Sequence, residues 1–174
     1  MKLLNENEIA RAIESLQQNK IIILPTDTIY GLSAIYNAEN EKRINEIKRS
    51  PIDKPLIILI SNLKQAESFV EVTEDFKKYI LSTDPTTVVS KKINSEKTFA
   101  LRLVQRQDIK TIIDEVGPIF STSVNSSGNK FLEEKNELFS FSNDVDKVFF
   151  TEKLAAHPSK ILILSDFSKK RWQI

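Results

Sequence analysis

Ile21-Ile22-Ile23-Leu24-Pro25-Thr26-Asp27-Thr28-Ile29-Tyr30-Gly31-Leu32 is the stretch from which the rest of the chain is read. Four apolar residues in succession, stopped by a proline, read as a short strand buried on both faces, as inside a parallel or mixed sheet. Upstream, Asn5-Glu6-Asn7-Glu8 has the form of a capping box, and Ile9, Ala12, Ile13 and Leu16 follow at helical spacing, so the first element is an amphipathic helix. Downstream, a helix is expected from Glu41 to Arg49, capped by Asn40, with Ile44 and Ile47 inward and Pro51 ending it. Leu56 to Ile60, Thr86 to Val89, Thr98 to Val104, Pro118 to Asn125, Lys147 to Phe150 and Lys160 to Leu164 read as strands. Helices are expected after Ser61 and Thr73 and from Asp108 to Val116, and the polar stretch from Ser126 to Asn136 as a mobile loop. Strands alternating with helices predict an α/β fold on a largely buried sheet. The 174 residues fit one domain, 1–174.

Composition narrows the chemistry. There are no cysteines and one histidine, His157, which rules out disulfides, thiolate nucleophiles and two-histidine metal motifs. Lys plus Arg number 25 against 24 Asp plus Glu, a net charge of +1 that predicts no strong general grip on nucleic acid. The N-terminus lacks a signal-peptide pattern and no apolar run approaches the roughly 18 residues of a membrane span, so a soluble cytoplasmic protein is expected. No phosphate-binding glycine loop of either common type appears, so any nucleotide must be held by another architecture.

Two segments place polar residues where a strand should end or remain apolar. Thr26 to Tyr30 follows the first strand, and ligands in open α/β sheets sit beyond strand ends. Ser121-Thr122-Ser123-Val124-Asn125-Ser126-Ser127-Gly128 is a run of hydroxyls and an amide; Gly31 and Gly128, two of only three glycines, close these segments. Strand alternation puts Ser121, Ser123 and Asn125 on one face and Phe120, Thr122 and Val124 on the other. The same alternation puts Thr98 and Arg102 on one face, where the arginine is either solvated or lines a cleft to hold a carboxylate or phosphate. Lys48-Arg49-Ser50-Pro51-Ile52-Asp53-Lys54-Pro55 reads either as a basic helix end favoured by the macrodipole or as lysines held in place by two prolines.

The order of these segments resembles the YrdC/TsaC family: Pro-Thr-Asp-Thr-Ile-Tyr-Gly-Leu, then Lys-Arg-Ser-Pro-Ile-Asp-Lys-Pro-Leu, then Thr-Phe-Ala-Leu-Arg, then Ser-Thr-Ser-Val-Asn-Ser-Ser-Gly, with Pro158-Ser159 matching a late motif. The resemblance runs from Leu4 to the C-terminus. It implies a twisted mixed sheet curved around a large cleft, and synthesis of L-threonylcarbamoyladenylate and pyrophosphate from L-threonine, bicarbonate and ATP, with Mg²⁺ bound along with ATP. The downstream partner implied is the machinery that transfers threonylcarbamoyl to a tRNA adenosine beside the anticodon. Lys48, Ser123 and Asn125 would be catalytic. Lys48, Arg49, Lys54, Thr98, Asn125 and Arg171 would hold the nucleotide; Thr28, Tyr30, Arg102, Ser123 and Ser159 would hold threonine. Such a site needs no enzyme nucleophile and no protein metal cage, because positioning and neutralised phosphate charge carry the reaction.

The chain departs from the family pattern in places. Ser50 stands where the signature has an arginine, with Arg49 one place early, and one step at a helix end turns a side chain through about 100°. Leu59 stands where some members carry histidine, and a Trp-Pro-Gly-Pro-Leu-Thr segment is reduced to Thr83-Asp84-Pro85-Thr86-Thr87. An alternative reading of the same resemblance is an RNA-binding protein of this fold without synthase activity, for which Ser50 is the main support. A carbamoyl-transfer domain of the hydrogenase-maturation kind is a third, although those sit in longer chains.

Overall fold

The computed structural model describes residues 1–51, 56–154 and 157–164. Eight strands form one mixed sheet: β1 (Ile22–Leu24), β2 (Gly31–Ile35), β3 (Ile57–Ile60), β4 (Thr86–Lys91), β5 (Thr98–Leu103), β6 (Ile119–Ser123), β7 (Lys147–Val148) and β8 (Lys160–Ile163), in the order β7-β1-β2-β6-β3-β5-β4-β8. The helices are α1 (Glu6–Gln17), α2 (Ala38–Ile47), α3 (Leu63–Ala66), α4 (Glu74–Ile80), α5 (Gln107–Val116) and α6 (Lys135–Phe139). The capping box is present at α1, where Asn5 and Glu8 satisfy each other's backbone N–H at 2.8 and 3.0 Å.

Alternation along the strands sorts the core into two layers. On one face Tyr30, Leu32, Phe120, Ile58 and Leu101 pack with Ile44 of α2, Ala66 of α3 and Phe76 of α4. On the other, Ile22, Leu24, Leu59 and Ile119 pack with Ala12 and Leu16 of α1 and Ile109, Ile112 and Ile113 of α5. β1 is buried on both faces, as the unbroken apolar run requires. β7 and β8 are consecutive in the chain yet lie at opposite edges, β7 on β1 and β8 on β4, so the chain between them passes from one edge to the other.

Several expectations are corrected. The second helix starts at Ala38, and its cap is Asn37, whose Oδ1 accepts from Asn40 N at 2.7 Å. Asn40 is instead fully buried, donating to Ile35 O and Asn19 Oδ1 at 2.9 and 2.6 Å. Two asparagines three apart can both cap; the winner is the one outside the helix with extended backbone. β2 was not expected, because its Gly-Leu-Ser-Ala-Ile is buried on both faces with small residues and so lacks alternation. β6 ends at Ser123 rather than Asn125, β7 at Val148 rather than Phe150, and α6 occupies part of the expected loop.

One buried ion pair joins the N-terminus to α5. The Arg106 guanidinium donates to both oxygens of Asp108 at 3.0 and 2.8 Å, and Asp108 also accepts from Leu4 N and Ile109 N at 2.9 and 2.8 Å. Burial pushes the Asp108 carboxyl upward, but the Arg106 bond, the Leu4 N–H, the guanidinium charge and the Ile109 N–H together hold it below the ordinary carboxylate value. A carboxylate depressed in the folded state contributes stability above its unfolded pKa of about 3.9 and loses it as pH falls through the folded value. Asp108→Asn is expected to cost about 3–5 kcal/mol in urea unfolding at neutral pH, because it leaves Arg106 buried and unpaired, and to flatten the acid limb of stability below pH ~4.

Candidate active site

The face covered by α1 and α5 opens into a cavity of about 510 Å³. Ser121 of β6, Ile57 of β3, Arg102 of β5 and Ile161 of β8 line it from the sheet. Register explains their grouping: Ser121 pairs with Ile57, Arg102 with Thr87 and Thr87 with Ile161, so alternation gives them one face. The Thr26–Tyr30 loop, the Ser127–Phe131 loop and Pro158-Ser159 complete the lining. Gly31 is required by close approach: a Cβ there would run into Ser121 Oγ and come within 3.3 Å of Thr26 Cγ2.

One pole is built around Arg102, which is 4% exposed. Its guanidinium donates to Thr28 Oγ1 at 3.2 Å and Thr26 Oγ1 at 3.5 Å, and its buried Nε has no partner. Thr26 Oγ1 in turn donates to Ile29 O at 2.6 Å and accepts from Thr28 N at 3.2 Å, which fixes the loop's shape. Asp27 ties that loop down, accepting from Arg106 N at 2.7 Å and Gln105 N at 3.1 Å. Burial pulls the Arg102 pKa down to about 10 while Asp27 pulls it back up, so the group remains a cation at neutral pH. Ser159, 8% exposed, shares a 2.7 Å hydroxyl bond with the fully buried Thr87. A buried guanidinium at a cavity wall, bonded only to hydroxyls, can bind a carboxylate or phosphate at little reorganisation cost.

The other pole is Lys48, the C-cap residue of α2, 3% exposed. Its Nζ lies 3.1 Å from Thr122 Oγ1, 2.5 Å from Ser123 O, 3.1 Å from Ser123 Oγ and 2.7 Å from Asn125 Oδ1. Its carbonyl accepts from Ser127 N at 2.7 Å, so α2 and the loop after β6 are locked together at both main chain and side chain. Asn125 Nδ2 donates to Asn129 O at 2.5 Å, and Leu132 N to Val124 O at 2.8 Å, which pins the stretch expected to be mobile.

The structure brings Lys48, Ser123, Asn125, Thr28, Tyr30, Arg102 and Ser159 together in one lining. Tyr30 is almost fully buried: its hydroxyl donates to Glu152 O at 2.6 Å and accepts from Thr151 N at 3.1 Å, and its ring stacks on Phe150. Arg49 and Thr98 do not line the cavity. Arg49 has a left-handed backbone, φ 54°, and is exposed. Thr98 sits at the start of β5, four residues from Arg102, with its buried Oγ1 unpartnered. Lys54 and Arg171 lie outside the described residues. His157 is exposed, whereas its neighbour Ser159 reaches the cavity. Thr26, Thr87 and Thr122 also stand at the site, with no role expected for them from the sequence. Thr26 and Thr87 were legible as hydroxyls beside site positions. Thr122 was placed on the opposite face, but the ladder ends at Ser123 and Lys48 bridges both faces there. Lys130 lines the cavity too, with its side chain largely in solvent.

The Sua5/YciO/YrdC family model, described as telomere recombination, matches residues 14–174. The chain is similar to a threonylcarbamoyl-AMP synthase of Pseudoalteromonas translucida, 32% identical over 139 residues, 71% of this chain and 74% of that one. A threonylcarbamoyl-AMP synthase of Bacillus subtilis is 31% identical over 140 residues, 71% of this chain but 40% of that one. Among solved structures, a Sua5 variant of P. abyssi superposes with a TM-score of 0.82 at 26% identity, covering 94% of this chain and 55% of that one. E. coli YciO superposes with a TM-score of 0.82 at 19% identity, covering 95% and 88%.

Proposed function

The chain belongs to the Sua5/YciO/YrdC family, and from that premise we propose that it is an L-threonylcarbamoyladenylate synthase, a nucleotidyltransferase acting on L-threonine, bicarbonate and ATP. The observation that carries this reading is a cavity with two buried cations, Arg102 and Lys48, and no carboxylate among the described residues that line it. Such a lining favours anionic substrates at both ends.

We assign the threonine carboxylate to Arg102, whose planar fork at the cavity wall suits a carboxylate, with Thr28 and Ser159 beside it. The threonine amine takes up bicarbonate, losing water, to form a carbamate. A carbamate oxygen then attacks the α-phosphorus, forming a P–O bond as the bond to pyrophosphate breaks. Lys48, with Ser123 and Asn125 around it, neutralises phosphate charge and holds the β6 loop in place during that step. Mg²⁺ would enter on ATP, held by phosphate oxygens and water, since the lining offers hydroxyl and amide oxygens rather than a carboxylate cage. No helix among the described residues is long and apolar enough to cross a membrane, in keeping with a cytoplasmic role supplying activated threonylcarbamoyl to a tRNA-modifying partner.

The test is pyrophosphate release and mass spectrometry of the nucleotide product. Release that requires both L-threonine and bicarbonate, with an adenylate of the expected mass, is the expected result. Release independent of threonine overturns the assignment.

A further inference from the structure

Lys48 gives its ammonium protons to the protein. Four oxygens lie 2.5–3.1 Å from Nζ, more acceptors than it has protons. Its charge therefore acts mainly through space, while its bonds hold the loop. Arg102 lies at the other pole, beneath the Thr26–Thr28 loop. Among the described residues, one further cation lines the cavity, Lys130. Its side chain is 81% exposed and its ion pair with Glu133 spans 3.9 Å, so little holds the ammonium where it is.

The root of that side chain, by contrast, is fixed. Asn129 O is held by Asn125 Nδ2, Asn129 N donates to Ser126 O at 3.0 Å, and Leu132 N is tied to Val124 O. A long flexible stem on a pinned backbone in a cavity lining can follow a charge that forms and departs, a task suited to a lysine's point charge. In an in-line displacement at the α-phosphorus, the pyrophosphate leaves on the side away from the attacking carbamate. With the carbamate near Arg102, as assigned above, the leaving group would point toward the Lys48 end, where the loop that carries Lys130 is tied through Ser127 N to Lys48 O.

We infer that Lys130 is a phosphate-contacting residue that meets the β- and γ-phosphates of ATP, and that its charge, not that of Arg49, sets discrimination between ATP and AMP. This rests on the ATP-using reading above. The test is direct binding of ATP and of AMP by calorimetry, at low and high salt, to Lys130→Ala, Lys130→Arg, Lys130→Glu and Arg49→Ala.

Lys130→Ala is expected to weaken ATP binding about tenfold, the loss shrinking at high salt, while leaving AMP affinity within about twofold. Lys130→Arg should restore most of the ATP affinity, Lys130→Glu should weaken it further, and Arg49→Ala should change it by less than about twofold. ATP affinity unchanged in Lys130→Ala, or ATP and AMP weakened alike, overturns the proposal. Threonine-dependent product formation by the natural protein is scored separately. Its absence alongside Lys130-dependent ATP binding sinks the synthase reading and leaves this one standing, whereas no ATP binding at all sinks both.

Discussion

Lys48→Met is expected to lower the rate of adenylate formation by about 100-fold or more while changing unfolding free energy by less than about 1 kcal/mol. These two outcomes separate because of where the oxygens around Nζ lie. Methionine retains most of the apolar stem that α2 packs, so little core is lost. Thr122 Oγ1, Ser123 O, Ser123 Oγ and Asn125 Oδ1 would lose a charged donor, a loss that is costly in a dry core. Here they face a cavity of about 510 Å³, and water can replace the missing donor. The field at the phosphates cannot be replaced in that way, because water does not supply a fixed positive charge. Pyrophosphate release and urea unfolding measured on the same preparation decide the matter. A stability loss of about 3 kcal/mol or more would make Lys48 chiefly a strut.

Arg102 is expected to show the opposite pairing of effects. Arg102→Lys keeps a cation but loses the fork that spans a carboxylate, so the KM for threonine should rise about 30- to 100-fold, or ~2–3 kcal/mol. Arg102→Met should abolish threonine-dependent turnover and yet raise stability by about 1–2 kcal/mol, since a hydrophobic chain of similar volume escapes the desolvation penalty. The direction follows from burial, which pulls the Arg102 pKa down to about 10. A cation whose folded pKa lies below its unfolded value costs stability at neutral pH, and that cost is relieved as pH rises through about 10, where the folded state sheds its proton first. A Met variant less stable than the natural protein would mean that the bonds to Thr28 and Thr26 outweigh the desolvation penalty.

How far the sequence could be read depended on whether a position's neighbours are set locally. Ile21 to Leu24 and the capping box at Asn5 were legible because periodicity and capping act within a few residues. Counting alternate residues gave Arg102 and Ser123 a face each but left open whether Arg102 met solvent or a cleft; both line the cavity. β2 was not legible, because its small residues answer to Ser121 and Ser123 on β6, about 90 positions away, and nothing local calls for them. Thr98 shared Arg102's face but not its end of the strand, a distinction that only the register with Lys91 and Thr87 makes. The left-handed backbone of Arg49 likewise has no local marker, since glycine would be the usual sign of such a conformation.

The passage of the chain between the two sheet edges sets a length constraint on the site. From Val148 to Lys160 there are twelve residue steps, which when fully extended reach about 40 Å. Crossing the seven gaps of an eight-stranded sheet takes about 34 Å. Twelve steps therefore exceed the span by only a few ångströms, and the path is anchored partway along, where Tyr30 Oη donates to Glu152 O. Ser159 hangs at its far end, one residue before β8. The pairing of β8 with β4, Thr86 beside Lys160, sets that hydroxyl 2.7 Å from Thr87 at the cavity wall. Removing several residues between Val148 and Lys160 would pull Ser159 from Thr87 or one edge strand from the sheet.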